Sequence, residues 1–147
     1  MMKAKSILVP TDFSKYSNKA LEMAVDIAKH NKAKIQLLHV VDVVQQCAAD
    51  YCLPSADVAS LKGQIKKTSD ANLKKMMDKF KKDGVLILGS VKEGAPYEEI
   101  LKEQKAKKAD LIVISSHGRT GLKKYLIGSV ADKVVKAAPC NVVLVKS

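Results

Sequence analysis

Residues 5–14, Lys5-Ser6-Ile7-Leu8-Val9-Pro10-Thr11-Asp12-Phe13-Ser14, decide how the chain is read. Ile7-Leu8-Val9 is apolar without polar alternation, the pattern of a strand buried on both faces of a sheet. Pro10 closes the run, and Ser14 offers a helix N-cap. Beyond it Ala20, Leu21, Ala24, Val25 and Ala28 fall on one helical stripe, while Lys19, Glu22, Asp26 and Lys29 fall elsewhere. A second apolar run, Ile35–Val41, follows at once. Strand, amphipathic helix and strand in this order make a βαβ unit, and such units build parallel sheets.

The pattern continues to the C-terminus. Val85–Leu88, Leu111–Ile114 and Val142–Val145 read as three further strands. A second helix is predicted from near Asp57 to Phe80, with Leu61, Ile65, Leu73, Met76, Met77 and Phe80 turned inward. Gly94-Ala95-Pro96 starts a third, with Pro at N1 and Glu98 and Glu99 in the first turn, where the helix dipole favours them. A fourth is predicted after Gly121, carrying Leu122, Tyr125, Leu126, Val130, Val134 and Val135 and ending before Pro139. Gly128 interrupts that pattern, so either the backbone makes a close approach there or the helix begins there. The expected fold is α/β: an open five-stranded parallel sheet with helices on both faces. Residues 42–56 have no regular pattern and contain Cys47, Cys52 and Pro54, which suits a lid, an interface or a mobile segment.

Composition narrows the function. The 147 residues suit one domain, 1–147, and 28% charged with 47% hydrophobic is ordinary globular composition. No run of 18 apolar residues is present and the start lacks the long apolar core of a signal peptide, so a cytoplasmic, non-membrane protein is expected. The net charge of +11 is concentrated after residue 60. Arg119 is the only Arg, Trp is absent, and Phe13 and Phe80 are the only Phe. Guanine edges are read chiefly by Arg, and single strands are held on aromatic platforms, so specific nucleic-acid binding is not expected. Three Cys, with Cys47 and Cys52 in neither a redox nor a zinc spacing, require neither disulfide nor metal, and Cys140 reads as a small buried residue.

In an open α/β sheet, ligands bind beyond the carboxyl ends of the strands, where strand order reverses. Pro10-Thr11-Asp12, His39-Val40-Val41, Ser115-Ser116-His117-Gly118-Arg119 and Gly128-Ser129 would meet there. Small residues, hydroxyls and a helix start, with Arg119, Lys123 and Lys124 nearby, make an anion cradle. Neither a P-loop nor a G-x-G-x-x-G fingerprint is present. Asp12 can serve a ribose hydroxyl or adenine amine, or cap the helix near Ser14. Ser115, Ser116 and His117 lack the nucleophile elbow of a hydrolase. His39, inside a strand, reads as a hydrogen-bonded, partly buried imidazole.

Several segments, in this order and spacing, resemble the universal stress protein family over essentially the whole chain. They are Ile7–Ser14, Leu38-His39-Val40, Glu93-Gly94-Ala95-Pro96, Ser116–Leu122, Gly128-Ser129-Val130 and Pro139–Val145. The resemblance implies a Rossmann-like domain of the adenine nucleotide alpha hydrolase type and, with the βα pattern, the strand order 3-2-1-4-5. It implies a homodimeric stress-response module that binds ATP, with or without Mg2+, and turns it over slowly or not at all. Residue by residue, it places ribose or adenine contacts on Thr11 and Asp12 and an adenine-flanking backbone contact on Val40. It places phosphate contacts on Ser116, Gly118, Gly128, Ser129 and Val130. His117 and Arg119 share that loop, and Pro10 and Ser115 complete the candidate set.

The family's nucleotide-binding branch carries G-x-x-G, nine residues, then G-[ST]. Gly118, the nine residues Arg119 to Ile127, and Gly128-Ser129 match, but Ser115 stands at the first Gly. If that position needs a positive φ or leaves space for a phosphate, a Cβ hinders binding, and the chain fits a nucleotide-independent branch that works through protein contacts with a client. If only the next N–H matters, Ser115 serves and can donate an extra bond. The resemblance also implies a dimer in which Val142–Val145 pairs antiparallel with its copy.

Overall fold

The computed structural model describes residues 3–42, 55–118 and 126–146. The strands are β1 (Ser6–Pro10), β2 (Lys34–Val41), β3 (Ile87–Glu93), β4 (Leu111–Ser115) and β5 (Asn141–Val145). The helices are α1 (Lys15–Asn31), α2 (Ser55–Asp78), α3 (Pro96–Ala106) and α4 (Ser129–Ala137). The sheet runs β3-β2-β1-β4-β5, and every pair is parallel, as the βα pattern predicts.

All five residues of β1 are buried, which is why Ile7-Leu8-Val9 shows no polar alternation. Alternate residues feed two cores. Ile7, Val9, Ile35, Leu37, Leu111 and Val113 face α1 and α2, meeting Leu21, Val25, Leu73 and Met76. Leu8, Leu38, Ile112 and Ile114 face α3 and α4, meeting Ile100, Ala131 and Val134. Helices thus cover both faces.

The predicted helix starts hold where a cap specifies them. Ser14 caps α1, its side chain accepting from Ser17 N–H at 3.2 Å. Pro96 stands at the first turn of α3, with Glu98 and Glu99 beside it. Two elements differ from the reading. The third strand lies at Ile87–Glu93 rather than Val85–Leu88, because β2 pairs with it along its full length, from Ile35↔Ile87 to Val41↔Glu93. As an edge strand with exposed residues, its second half (Gly89 to Glu93) does not read as apolar. The fourth helix starts at Ser129, not after Gly121, and the exposed Leu126 and Ile127 precede it. Cys140 is half-buried rather than buried, and desolvation raises its thiol pKa. Residues Gly121 to Tyr125, and Cys47 and Cys52 with most of segment 42–56, lie outside the described residues.

The two-faced core should show in stability. Leu8 is fully buried, so Leu8→Ala should cost about 2–5 kcal/mol through lost burial and the cavity left behind. Leu88 on the edge strand is 44% exposed, and Leu88→Ala should cost well under half as much. Urea unfolding of the two variants measures the contrast.

Candidate functional site

From β1 the chain moves outward through β2 to β3, then returns to place β4 on the other side of β1. Loops after β1 and β4 therefore diverge, and a cleft of about 300 Å³ opens between them. Pro10, Thr11, Asp12 and Val40 line one side, and Ser115, His117 and Gly118 the other. Gly128, Ser129 and Val130 close it at the start of α4. Ser116 is buried behind this lining, and Arg119 lies outside the described residues. A larger hollow of about 570 Å³, at the opposite end of the strands, is bordered by Lys32, Lys34 and the Lys29–Asp83 ion pair. No loops of the nucleotide-like motif converge on it.

The β1 loop is set by hydrogen bonds to β2 and by short-range bonds within itself. Thr11 N–H donates to Leu38 O at 2.8 Å, tying the loop to β2. Phe13 N–H donates to Thr11 Oγ1 at 3.0 Å. Ser17 Oγ donates to Ser14 O at 2.8 Å, so it is Thr11 that donates across the 2.9 Å contact between the Thr11 and Ser17 hydroxyls. Asp12 Oδ1 accepts from Ser14 N–H at 3.0 Å. Asp12 therefore braces the capping residue without being the cap. Its Oδ2 reaches over Gly118, where an added Cβ would lie 2.7 Å away. One oxygen thus supports the helix start from beside the cap, which is Ser14, and the other borders the cleft.

His39 was placed at this end of the sheet as a hydrogen-bonded, partly buried imidazole without a ligand role, and Phe13 was not singled out. The His39 ring is 8% exposed and lines the cleft, with Nδ1 2.8 Å from Thr11 O. A carbonyl only accepts, so Nδ1 carries a proton. The ring packs at 4.3 Å, tilted 37°, on Phe13, whose φ of 65° is left-handed and unusual for a bulky residue. The pairing of His39 with Thr11 O joins residues 28 apart in sequence, so no local pattern announces it.

The β4 loop is tied as firmly. Ser116 N–H donates to Val145 O at 2.9 Å, and Gly128 N–H donates to Ser116 O at 2.7 Å. A Cβ at Gly128 would come within 3.3 Å of Ser116 O. Both alternatives raised for Gly128 are therefore realised: it is the point of close approach and the N-cap of α4. Gly128 has no side chain to cap that helix, and among the described residues no capping oxygen satisfies its first N–H groups. His117 is buried, with Nδ1 2.9 Å from Ser116 Oγ and its ring 5.8 Å from that of Tyr16. Ser115 ends β4 in extended conformation, outside the left-handed region. Among the described residues only Phe13, Lys32 and Lys108 are non-glycine residues with positive φ. The expected strain at Ser115 is absent.

The family model described as "Universal stress protein family" matches residues 3–146. The chain belongs to the universal stress protein family. It is 38% identical over 143 residues to universal stress protein MJ0531 of Methanocaldococcus jannaschii, covering 97% of this chain and 82% of that one. It is 31% identical over 153 residues to MJ0577 of the same organism, covering 97% and 94%. The solved MJ0577 structure superposes with a TM-score of 0.82 over 99% of this chain and 98% of that one. A family protein of Arabidopsis thaliana with AMP bound shares the fold, with a TM-score of 0.67, 24% identity, and coverage of 97% and 91%. Among the described residues no helix is long and apolar enough to cross a membrane, and no group of three or more His, Cys, Asp or Glu could hold a metal ion.

His39→Phe keeps a ring against Phe13 but leaves the Thr11 carbonyl without its buried donor. It should cost about 1–3 kcal/mol in urea unfolding.

Proposed function

We propose that this universal stress protein is a homodimeric binding module for ATP or a related adenine nucleotide, in the cytoplasm, with slow or no hydrolysis. The observation that carries the reading is the pair of close approaches at the cleft, Gly118 against Asp12 Oδ2 and Gly128 against Ser116 O. A Cβ at Gly118 would displace the end of the Asp12 side chain, and one at Gly128 would press on the Ser116 carbonyl. Small residues let an anion approach backbone donors, and the uncapped start of α4 adds the partial positive charge of a helix N-terminus. The donor set therefore fits a phosphate.

The base and sugar would lie toward the other wall. Val40 would flank the adenine through its backbone, and Asp12, beside Thr11 on the β1 loop, would take the ribose hydroxyls. Phosphates would meet Gly118, Gly128, Ser129 and Val130, with Arg119 and His117 in the adjoining loop. The family's AMP-bound member supports this choice of ligand class. Bound nucleotide supplies a charged group whose recognition can change the protein's contacts with a client. Binding rather than turnover is the favoured output, because Asp12 already has one oxygen committed to Ser14 N–H and His117 is buried against Ser116. Mg2+, if present, would be held chiefly by the phosphates, as that ion commonly is. The nucleotide-independent alternative rests on Ser115, either through backbone strain or through its Cβ taking phosphate space; Ser115 has no positive φ, which leaves the second ground alone to favour it.

Calorimetric titration of ATP into the full chain should show saturable binding in the micromolar range. Gly118→Ala should weaken it by at least about tenfold, because the Asp12 carboxylate would have to leave Ser14 N–H to make room. Absence of binding in the natural protein would overturn the proposal.

The dimer would form along β5. This strand is an outer edge of the sheet, and Val142–Val145 are only half-buried in one chain. An apolar edge with unpaired backbone groups favours pairing. Light scattering at tens of micromolar should give twice the chain mass of 16.0 kDa, and Leu144→Lys should shift it toward monomer.

A further inference from the structure

Resting on the nucleotide reading above, we propose that Ser115 is a positioning residue: its hydroxyl, donated to the His117 carbonyl, fixes the peptide that carries the Gly118 N–H. Ser115 Oγ lies 2.8 Å from His117 O. The carbonyl can only accept, so the hydroxyl proton lies between them. The described peptides are all trans, and in a planar trans peptide the N–H points opposite to the C=O. Holding the His117 carbonyl toward Ser115 therefore directs the Gly118 N–H away from it, as a donor of fixed orientation on the loop that borders the cleft.

The preceding peptide is held in the same manner, since Ser116 O accepts from Gly128 N–H at 2.7 Å. Ser116 N–H is fixed by Val145 O at 2.9 Å. Three consecutive bonds thus lock the loop, two supplied by backbone and one by a side chain. The side-chain bond comes from the position where the family's motif has Gly, which has no hydroxyl to give. A carbonyl without a donor is free to rotate its negative end toward a bound phosphate, which costs affinity twice, through repulsion and through the lost N–H. On this account Ser115 substitutes a clamp for glycine's freedom, and the departure from the motif supports binding.

The test compares Ser115→Ala and Ser115→Gly with the natural chain. Alanine keeps the Cβ and loses the hydroxyl; glycine loses both. ATP affinity by calorimetry should fall about three- to tenfold in each variant, the range expected for one hydrogen bond. In the ligand-free proteins, amide hydrogen exchange at Gly118 should be faster in both variants, with exchange in β1 and β2 unchanged. Wild-type affinity in Ser115→Ala, or tighter binding in Ser115→Gly, would overturn the inference. Should the natural protein bind no ATP, the nucleotide reading fails, and Gly118 exchange alone decides the clamp: faster exchange upholds it and unchanged exchange overturns it.

Discussion

β1 has to satisfy hydrogen-bonding partners on both edges while every residue in it is buried. Pro10 pairs with Leu38 of β2, and Leu8 pairs with Ile112 of β4. A buried strand with an open edge would carry unpaired backbone groups at a cost comparable to lost hydrogen bonds, so both neighbours are required. Here the chain reaches the two sides by travelling outward to β3 first and returning to β4 later. That reversal separates the loops after β1 and β4 and leaves the cleft. The site is a consequence of how a fully buried strand is completed.

Around that strand, the two loops are fixed by different means. The β1 loop is tied to β2 at Thr11 and otherwise organised locally, through hydroxyls and a carboxylate within a few residues of one another, from Thr11 to Ser17. The β4 loop is organised at long range, by Val145 from β5 and Gly128 from the head of α4. The loops meet where Asp12 lies over Gly118. Because Ser116 bonds directly to the last residue of β5, the proposed phosphate loop and the proposed dimer strand share an anchor. A change at one has a short covalent and hydrogen-bonded route to the other.

The candidate cleft residues were legible to the extent that their signals are local. Pro10-Thr11-Asp12 follows an apolar run directly, and Gly118 and Gly128-Ser129 announce themselves as small residues next to strand or helix ends. Ser116 was legible by position, yet it works from behind the lining. Phe13 gave no such signal, and His39 was legible as a hydrogen-bonded imidazole but not by its partner. Their part in the cleft depends on a carbonyl 28 residues away and on a left-handed backbone at a bulky residue, which sequence pattern does not encode.

The amino-acid sequence by itself determined the alternation of strands and helices, the parallel class of the sheet, the caps at Ser14 and Pro96, and the family to which the chain belongs. Those features follow from hydrophobic period, chain geometry and short-range hydrogen bonding, all contained within a few consecutive residues. Tertiary structure alone decided where β3 ends, where α4 begins and what Ser115 does. β3 extends to Glu93 because β2 offers partners that far, and α4 begins at Ser129 because the backbone at Gly128 is drawn onto Ser116 O. Ser115 was strained or relaxed according to a dihedral angle that its neighbours in sequence do not set. Its pairing with Val145 holds it extended, and the hydroxyl then finds the His117 carbonyl.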